Sequence, residues 1–420
     1  MIKLPKNLDA EILPCVNTHN RFISKDEHEP ELKVRFIDSS NQKVWGFLVV
    51  DDTRRGPGMG GIRIAQNLSI EEMSRLAHTM TLKNSVSCLP FGGAKSGLTI
   101  DPIFLAKEPN LKSEIIDLFA EALFPFDNYI SAPDMGTNEH DIQQIYKFNS
   151  KNLKSNFHTR GGIGRQLMHG GIPIDDWELT AHGLVSAIST LEEMNYGIKL
   201  NGARVVVQGF GNVGAPTSSK LYSRGSIIVG ASDINAGLWN SNGLDMEELN
   251  RAKNTMGGLN NYNSKIERRF SANQVNWLLE APCDILVPAA RPDAITARNA
   301  DRIKCKIILQ GANSPVNKMT EYYLSNRRRI LSLSDFIVNS GGVIGCAVEL
   351  TMNTDAEYRN VLEKEGPRLY TENLIDETIS KNVKQVIYDI STEIEPDTFF
   401  REKALILAHN RLRNIEEDWL

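Results

Sequence analysis

The segment from Ala203 to Asp233 constrains the fold of this chain more than any other. An apolar run ends in Gly209-Phe210-Gly211-Asn212-Val213-Gly214, and a second apolar run closes at Asp233. Strand, glycine turn, helix, strand and acid, in that order, predict the βαβ unit that holds a dinucleotide. Gly209 permits the tight turn, Gly211 lets a pyrophosphate approach the backbone, and Gly214 lets the helix pack close to the sheet. With Asn212 and Val213 they frame a helix N-terminus, whose unpaired N–H groups and dipole favour anions. Asp233 is placed to accept hydrogen bonds from ribose hydroxyls and to repel a 2′-phosphate. Ile234, Asn235 and Ala236 supply no cation for such a phosphate, so NAD is expected and NADP disfavoured. An accidental glycine turn is the competing reading, and the spacing and the acid together weigh against it.

A chain of 420 residues can bury two cores, so two domains are expected. A net charge of −5 without a basic stripe argues against nucleic acid as a partner. No stretch approaches a membrane span. The N-terminal MIKLPKNLDAEILP is too polar and acidic for a signal peptide. Five scattered cysteines fit neither a disulfide framework nor a zinc site; they suggest reduced thiols and a cytoplasmic location.

The runs on either side of Ser39-Ser40-Asn41 predict a hairpin. Arg54–Gly61 and Pro90–Gly97 read as two glycine-rich loops, the second followed by a short strand over 98–100. Ser69-Ile70-Glu71-Glu72 matches the capping box that opens a helix, with Met73, Leu76, Ala77 and Met80 on its buried face. A further helix is expected over 111–124, and an irregular connection over 149–178. A helix over about 178–195 leads into the nucleotide unit. Strands at 284–288 and 306–310 extend a parallel, doubly wound sheet. The tail from about 350 reads as helical, with Leu374, Ile375, Ile379, Val383, Val386, Ile387 and Ile390 on one face.

Three residues stand out chemically. Lys83 lies on the apolar stripe of its helix, where a lysine must snorkel or meet an anion. Lys95 stands in Pro90-Phe91-Gly92-Gly93-Ala94-Lys95-Ser96-Gly97, where backbone can crowd its ammonium and lower its pKa toward proton exchange; a surface lysine in a mobile turn is the alternative. Asp134, in Ala132-Pro133-Asp134-Met135-Gly136-Thr137, is either a proton carrier or the cap of a helix opening near Thr137. No histidine pair has metal-ligand spacing, and no metal is called for.

Taken together, these segments resemble the glutamate/leucine/phenylalanine/valine dehydrogenase family. The pieces are GPGMGGIRI (56–64), MTLKNSV (80–86), PFGGAKSGL (90–98), APDMGTNE (132–139), VVVQGFGNVG (205–214), ILVPAARPDAIT (285–296), LQGAN (309–313) and NSGGVIGCAVEL (339–350), in the family's order. The resemblance implies reversible oxidative deamination of an L-amino acid to a 2-oxo acid and ammonia. It implies that Lys83 binds the substrate α-carboxylate, that Lys95 activates the attacking water, and that Asp134 shuttles protons at the amino nitrogen. Asn339 would help hold the amino-acid end, Thr180 would lie near the nicotinamide amide, and Ala289 and Asn313 would touch the nucleotide.

The chain departs from the glutamate branch at two places. Glutamate dehydrogenases resembling it carry a lysine where this chain has Met59 and a serine where it has Cys346, both holding the γ-carboxylate. A pocket of Met59, Ala132, Val343 and Cys346 would leave that carboxylate unpaired, which points to an apolar or other non-glutamate side chain. The alternatives are a glutamate enzyme with a rearranged anchor, favoured by the texture of PFGGAKSGL, and a non-catalytic nucleotide-binding homologue. The segment 155–178 also departs from the family, keeping only Gly170-Gly171 of its Gly-Lys-Pro and Gly-Gly-Ser pattern. The expected fold is α/β, with two domains around a cleft. Residues 1–180, with 350–420 returning, form a substrate-binding and oligomerisation domain; 181–349 form a doubly wound, Rossmann-type dinucleotide-binding domain. A homo-oligomer is expected.

Overall fold

The computed structural model describes residues 5–15, 22–24, 27–152, 162–393 and 398–414. Part of the divergent 155–178 segment, residues 155–161, lies outside them. The chain divides into two compact units, one of residues 1–174, 343–367 and 409–420, the other of 175–342 and 368–408.

The first unit is built on a six-stranded sheet. Its strands are β1 (Leu8–Leu13), β4 (Leu32–Asp38), β5 (Val44–Asp52), β6 (Gly58–Ala65), β7 (Gly92–Thr99) and β8 (Tyr129–Pro133), in the order β1-β4-β5-β7-β6-β8. A short ribbon, β2 (Phe22–Ser24) with β3 (Glu27–His28), stands apart from it. The expected hairpin is β4–β5, and Asp38 ties its turn by accepting from the Ser40 amide at 2.8 Å. Helix α1 (Ile70–Val86) starts at the expected Ser69 cap, with the Glu72 amide donating to Ser69 Oγ at 3.2 Å, but the Glu72 carboxylate accepts from Arg63 and the reciprocal half of the capping box is not made. Met73, Leu76, Ala77 and Met80 are all buried on it. Helices α2 (Pro102–Ala106), α3 (Pro109–Leu123) and α4 (Glu139–Asn152) follow. One apolar cluster joins Leu48, Val50, Ile62 and Leu98 of the sheet to Ile116 and Phe119 of α3 and Ile142 of α4. A second joins Phe47 and Val49 to Leu76 and Ala77 of α1. The sheet thus has α1 on one face and α3 with α4 on the other.

The two glycine-rich stretches are loops only at their starts, over 54–57 and 90–91. Gly58–Gly61 lies within β6, and Gly92–Gly97 within β7, which pairs antiparallel with β5 and parallel with β6. Their glycines mark close packing instead. A Cβ on Gly93 would stand 2.1 Å from Thr81 Oγ1 of α1, and one on Gly60 1.7 Å from the Ala94 carbonyl oxygen.

The second unit begins with α5 (Leu179–Glu193), close to its expected span, followed by β9 (Arg204–Gln208), α6 (Gly214–Tyr222) and β10 (Ile227–Ser232). Next come β11 (Ala236–Trp239), α7 (Met246–Lys253), β12 (Arg268–Ser271), β13 (Ile285–Pro288), β14 (Ile307–Leu309), α8 (Lys318–Arg328), β15 (Leu331–Leu333) and α9 (Asp335–Val338). Strands β10, β9, β13, β14 and β15 are parallel, and β11 and β12 add an antiparallel edge beyond β10. The sheet is therefore mixed, where a parallel one was expected.

Helix α10 (Gly341–Thr354) carries the chain back into the first unit, where α11 (Ala356–Glu365) follows. Most of the tail does not stay there. Helix α12 (Pro367–Thr392) and the start of α13 (Phe400–Arg413) belong to the second unit, so 350–420 does not return as one block to the first. Ile375, Ile379, Val383, Val386 and Ile387 form the buried stripe of α12, while Leu374 and Ile390 are half-buried. Among the described residues no helix is long and apolar enough to cross a membrane.

Candidate active site

Strand register places the first unit's candidate residues. Side chains alternate between faces of a strand, so Met59, Gly61 and Arg63 share one face of β6, and Gly93, Lys95 and Gly97 share one face of β7. Met59 pairs with Gly93, and Arg63 with Gly97, so these two rows lie on the same face of the sheet. Gly61 pairs with Ala132 of β8, which puts Ala132 on that face and Asp134 just beyond it. A Cβ on Gly61 would stand 2.6 Å from Asp134 Cβ, so the glycine vacates the space that the aspartate fills.

Asp134 is then gripped by two cations. Lys95 Nζ lies 2.8 Å from Asp134 Oδ2, and Arg63 Nε donates to the same oxygen at 2.9 Å. Arg63 Nη1 also donates to Glu72 Oε1 of α1, at 3.2 Å. Lys95 and Arg63 are 3% and 4% exposed, so neither cation is solvated as on a surface. The turn after β8 is fixed by Thr137, whose hydroxyl accepts from the Asp134 amide and donates to the Ile62 carbonyl. Asp134 does not cap the next helix; Asn138 does, accepting from the amides of His140 and Asp141.

Burial drives the Lys95 ammonium below the ordinary lysine range; Asp134 opposes this and Arg63 adds to it. Burial would raise the Asp134 carboxyl, but Lys95 and Arg63 outweigh it and hold the group well below the usual carboxylate range. An amine with a lowered pKa beside a carboxylate held ionised is the kind of pair that can exchange protons. Lys83 is buried on α1 at 5% exposure, so it does not snorkel.

Met59 is fully buried in β6, and Cys346 is 2% exposed on α10, one helical turn from half-buried Val343. Burial pushes the Cys346 thiol up, with the neighbouring Glu349 adding to the effect. Sequence reasoning gave no role to Arg63, took Glu72 only as part of a helix cap, and gave none to the buried pair of Arg165 and Glu349. The signal for Arg63 was present: a lone cation between Ile62 and Ile64 in a run whose alternation puts it on the Met59 face.

In the second unit the glycine turn has the expected form. Gly209 has φ +94°, and its amide donates to the Ser232 carbonyl at 2.9 Å. A Cβ on Gly214 would stand 1.9 Å from the Gly209 carbonyl oxygen, whereas one on Gly211 would meet nothing within 4 Å. Helix α6 starts after Val213 with no side chain capping its first amides. An open glycine and an uncapped helix N-terminus fit a pyrophosphate. Asn212 Nδ2 donates to Asp175 Oδ2 at 3.1 Å.

Asp233 follows β10. Its Oδ1 accepts from the Asn235 and Ala236 amides and its Oδ2 from the Leu259 amide. Three donors leave the carboxylate one of its roughly four acceptor positions. Ala289 follows β13 and donates its amide to the Gln208 carbonyl at 2.7 Å, beside the glycine turn. Asn339 Nδ2 donates to the carbonyls of Gly311 and Ala312 and to Asn313 Oδ1, while its own Oδ1 is buried without a hydrogen-bond partner. Thr180 lies in the first turn of α5, against Gly341: a Cβ there would stand 3.4 Å from the Thr180 amide. Among the described residues no group of three His, Cys, Asp or Glu could hold a metal ion.

Comparison with known proteins decides the family. Residues 170–418 match Glutamate/Leucine/Phenylalanine/Valine dehydrogenase, and residues 27–151 match the Glu/Leu/Phe/Val dehydrogenase dimerisation domain. The chain belongs to this family. It is 30% identical, over 96% of its length and 91% of the relative's, to an NADP-specific glutamate dehydrogenase of Saccharolobus shibatae. It is 31% identical to the catabolic NAD-specific glutamate dehydrogenase of Bacillus subtilis, over 77% of its own length and 74% of the relative's. Its fold is similar to that of a hetero-hexameric glutamate dehydrogenase from Thermus thermophilus in a leucine-bound form, with TM-score 0.75 and 25% identity, covering 98% of this chain and 89% of that one. The family member described here is thus a two-unit α/β oxidoreductase whose relatives act with NAD or NADP.

Proposed function

We propose that this chain catalyses the reversible oxidative deamination of an L-amino acid to a 2-oxo acid and ammonia. The observation that carries the reading is the Lys95–Asp134–Arg63 cluster, in which two buried cations on one face of the sheet grip a partly exposed carboxylate. A bound nicotinamide dinucleotide would accept the hydride from the substrate Cα. Gly209, Gly211, Asn212, Val213 and Gly214 would hold its pyrophosphate, Asp233 its ribose, and Thr180, Ala289 and Asn313 would lie on its remaining path, while Asn339 would help hold the substrate's amino-acid end.

The chain's own groups handle the protons. Asp134, held ionised, takes a proton from the substrate amino group. Lys95, with its lowered pKa, takes a proton from the water that attacks the iminium carbon, and as an ammonium it stabilises the oxyanion that forms there. Lys83 binds the α-carboxylate. Asp233 favours NAD over NADP because a 2′-phosphate would meet a carboxylate; the relatives are divided on this point. A homo-oligomer is part of the proposal, although the Thermus thermophilus neighbour is hetero-hexameric.

Glutamate is the first side chain to test, because the relatives are named for it. A second reading, an apolar side chain, rests on Met59 and Cys346, both buried and uncharged, which offer a γ-carboxylate no cation. The experiment is a reductive-amination panel of 2-oxo acids with ammonia and either NADH or NADPH. Turnover confined to 2-oxoglutarate removes the apolar reading, and turnover confined to branched or aromatic oxo acids removes glutamate. Preference for NADPH would overturn the role given to Asp233, and no turnover with any pair would overturn the enzyme reading.

A further inference from the structure

We propose that Arg63 is a positioning residue for Asp134, fixing which carboxylate oxygen faces the reaction, and that Glu72 sets how strongly Arg63 acts. The proposal rests on the assignment of Asp134 and Lys95 as proton-moving groups. Its evidence is geometric. Lys95 and Arg63 both meet Oδ2 of Asp134, at 2.8 and 2.9 Å. Two cations on one oxygen leave Oδ1 as the oxygen available to a substrate amine. A single lysine on a flexible stem cannot impose that choice, because its ammonium can meet either oxygen. The planar guanidinium, anchored at its other end on Glu72 at 3.2 Å, fixes the plane from which it donates.

The charged groups facing Asp134 are Lys95 from β7 and Arg63 from β6, with Glu72 of α1 behind Arg63, while Tyr129 of β8 lies on the opposite face of the sheet, its hydroxyl on Ser96 and the Gly60 carbonyl. Arg63 stabilises the Asp134 anion and repels the Lys95 ammonium. Losing Arg63 therefore raises the pKa of both groups. Losing Glu72 removes the anion that offsets Arg63, so both pKa values fall. Two variants on one chain of contacts thus have opposite signs, which a merely structural role would not produce.

The test compares wild type with Arg63→Met, Arg63→Lys and Glu72→Gln in two measurements. The first is the pH profile of kcat/KM for the best 2-oxo acid or amino acid found. The second needs no turnover: competitive acetylation of Lys95 against pH, read by mass spectrometry. The expected result is a Lys95 titration and an acidic kcat/KM limb that move up by about one pH unit in Arg63→Met. In Arg63→Lys, which keeps the charge, the titration stays near wild type while kcat falls, because the fixed donor plane is lost. In Glu72→Gln, whose side chain is 30% exposed and tolerates exchange, both profiles move down. Titrations that coincide in all four proteins, or that move the same way in Arg63→Met and Glu72→Gln, overturn the proposal. If wild type has no turnover, the proposed reaction fails, and the acetylation arm alone still decides the coupling of Arg63 to Lys95. Should Arg63→Met fail to fold, the downward shift in Glu72→Gln is the deciding result.

Discussion

At the scale of single residues, the site is defined by what burial does to charge. Lys95 is 3% exposed, yet its one strong anionic partner is shared with Arg63. Replacing Lys95 with alanine leaves Asp134 still paired to Arg63, so no carboxylate is stranded and the fold survives. Turnover is expected to fall about 10²–10⁴-fold, the usual contribution of a positioned acid or base, as steady-state kinetics would show; unchanged turnover would remove Lys95 from the mechanism. Asp134 makes a second prediction, about pH. Its folded-state pKa is depressed, so the stability it contributes is fully present above the unfolded value of about 3.9 and is lost as pH falls through the depressed one. The gap in unfolding free energy between wild type and Asp134→Asn is therefore expected to narrow as denaturation is measured from about pH 5 downward. A gap independent of pH would mean that Asp134 is not held ionised by its neighbours.

At the scale of elements, one buried carboxylate ties a loop to a helix. Glu349 of α10 accepts from the backbone amides of Gly164, Arg165 and Ile172 and from Arg165 Nε at 2.7 Å. Arg165 stacks over Tyr146 of α4 and donates to the His169 carbonyl, so the 162–172 stretch is held at both ends. The neighbouring Ile163 amide donates to the Ser131 carbonyl of β8, which brings the stretch to the strand that leads into Asp134. Burial pushes the Glu349 carboxyl up, and Arg165 with the amides opposes it. Arg165→Met would leave that carboxylate without its cation, and a loss of about 3–5 kcal/mol is expected by chemical denaturation; a loss below about 1 kcal/mol would show that the amides alone suffice. None of this was legible in the sequence, because the partners lie far apart along the chain and the segment departs from the family's pattern. The helix at Ser69 and the turn at Gly209 were legible because their signals are local: a cap and its third residue, a glycine and its φ. The glycines of β6 and β7 misled for the same reason. Locally they read as turns, and only the approach of α1 to Gly93 and of Asp134 to Gly61 explains them as strand residues.

At the scale of the whole molecule, the chain crosses between its units more often than the sequence suggested, and a buried charge cluster shows where the tail belongs. Arg401, near the start of α13, donates to Glu321 Oε1 of α8 and to Asp335 Oδ1 of α9, both at 2.9 Å. Glu321 and Asp335 are 1% and 0% exposed, so this one guanidinium neutralises two carboxylates that water does not reach. Burial raises the Glu321 pKa, and Arg401 opposes the rise. In Arg401→Met that opposition is gone, and Glu321 stays protonated in the folded state to higher pH than in wild type. The penalty is therefore smallest below the unfolded glutamate value of about 4.3 and grows as pH rises through the raised folded value, reaching about 3–5 kcal/mol near neutrality. Because Arg401, Glu321 and Asp335 all belong to the second unit, hydrogen exchange should quicken in 175–342 and 368–408 and stay at wild-type rates in 27–152. Exchange that quickened equally across both units would show that the two cores unfold as one, and that the tail's charge cluster stabilises the whole chain.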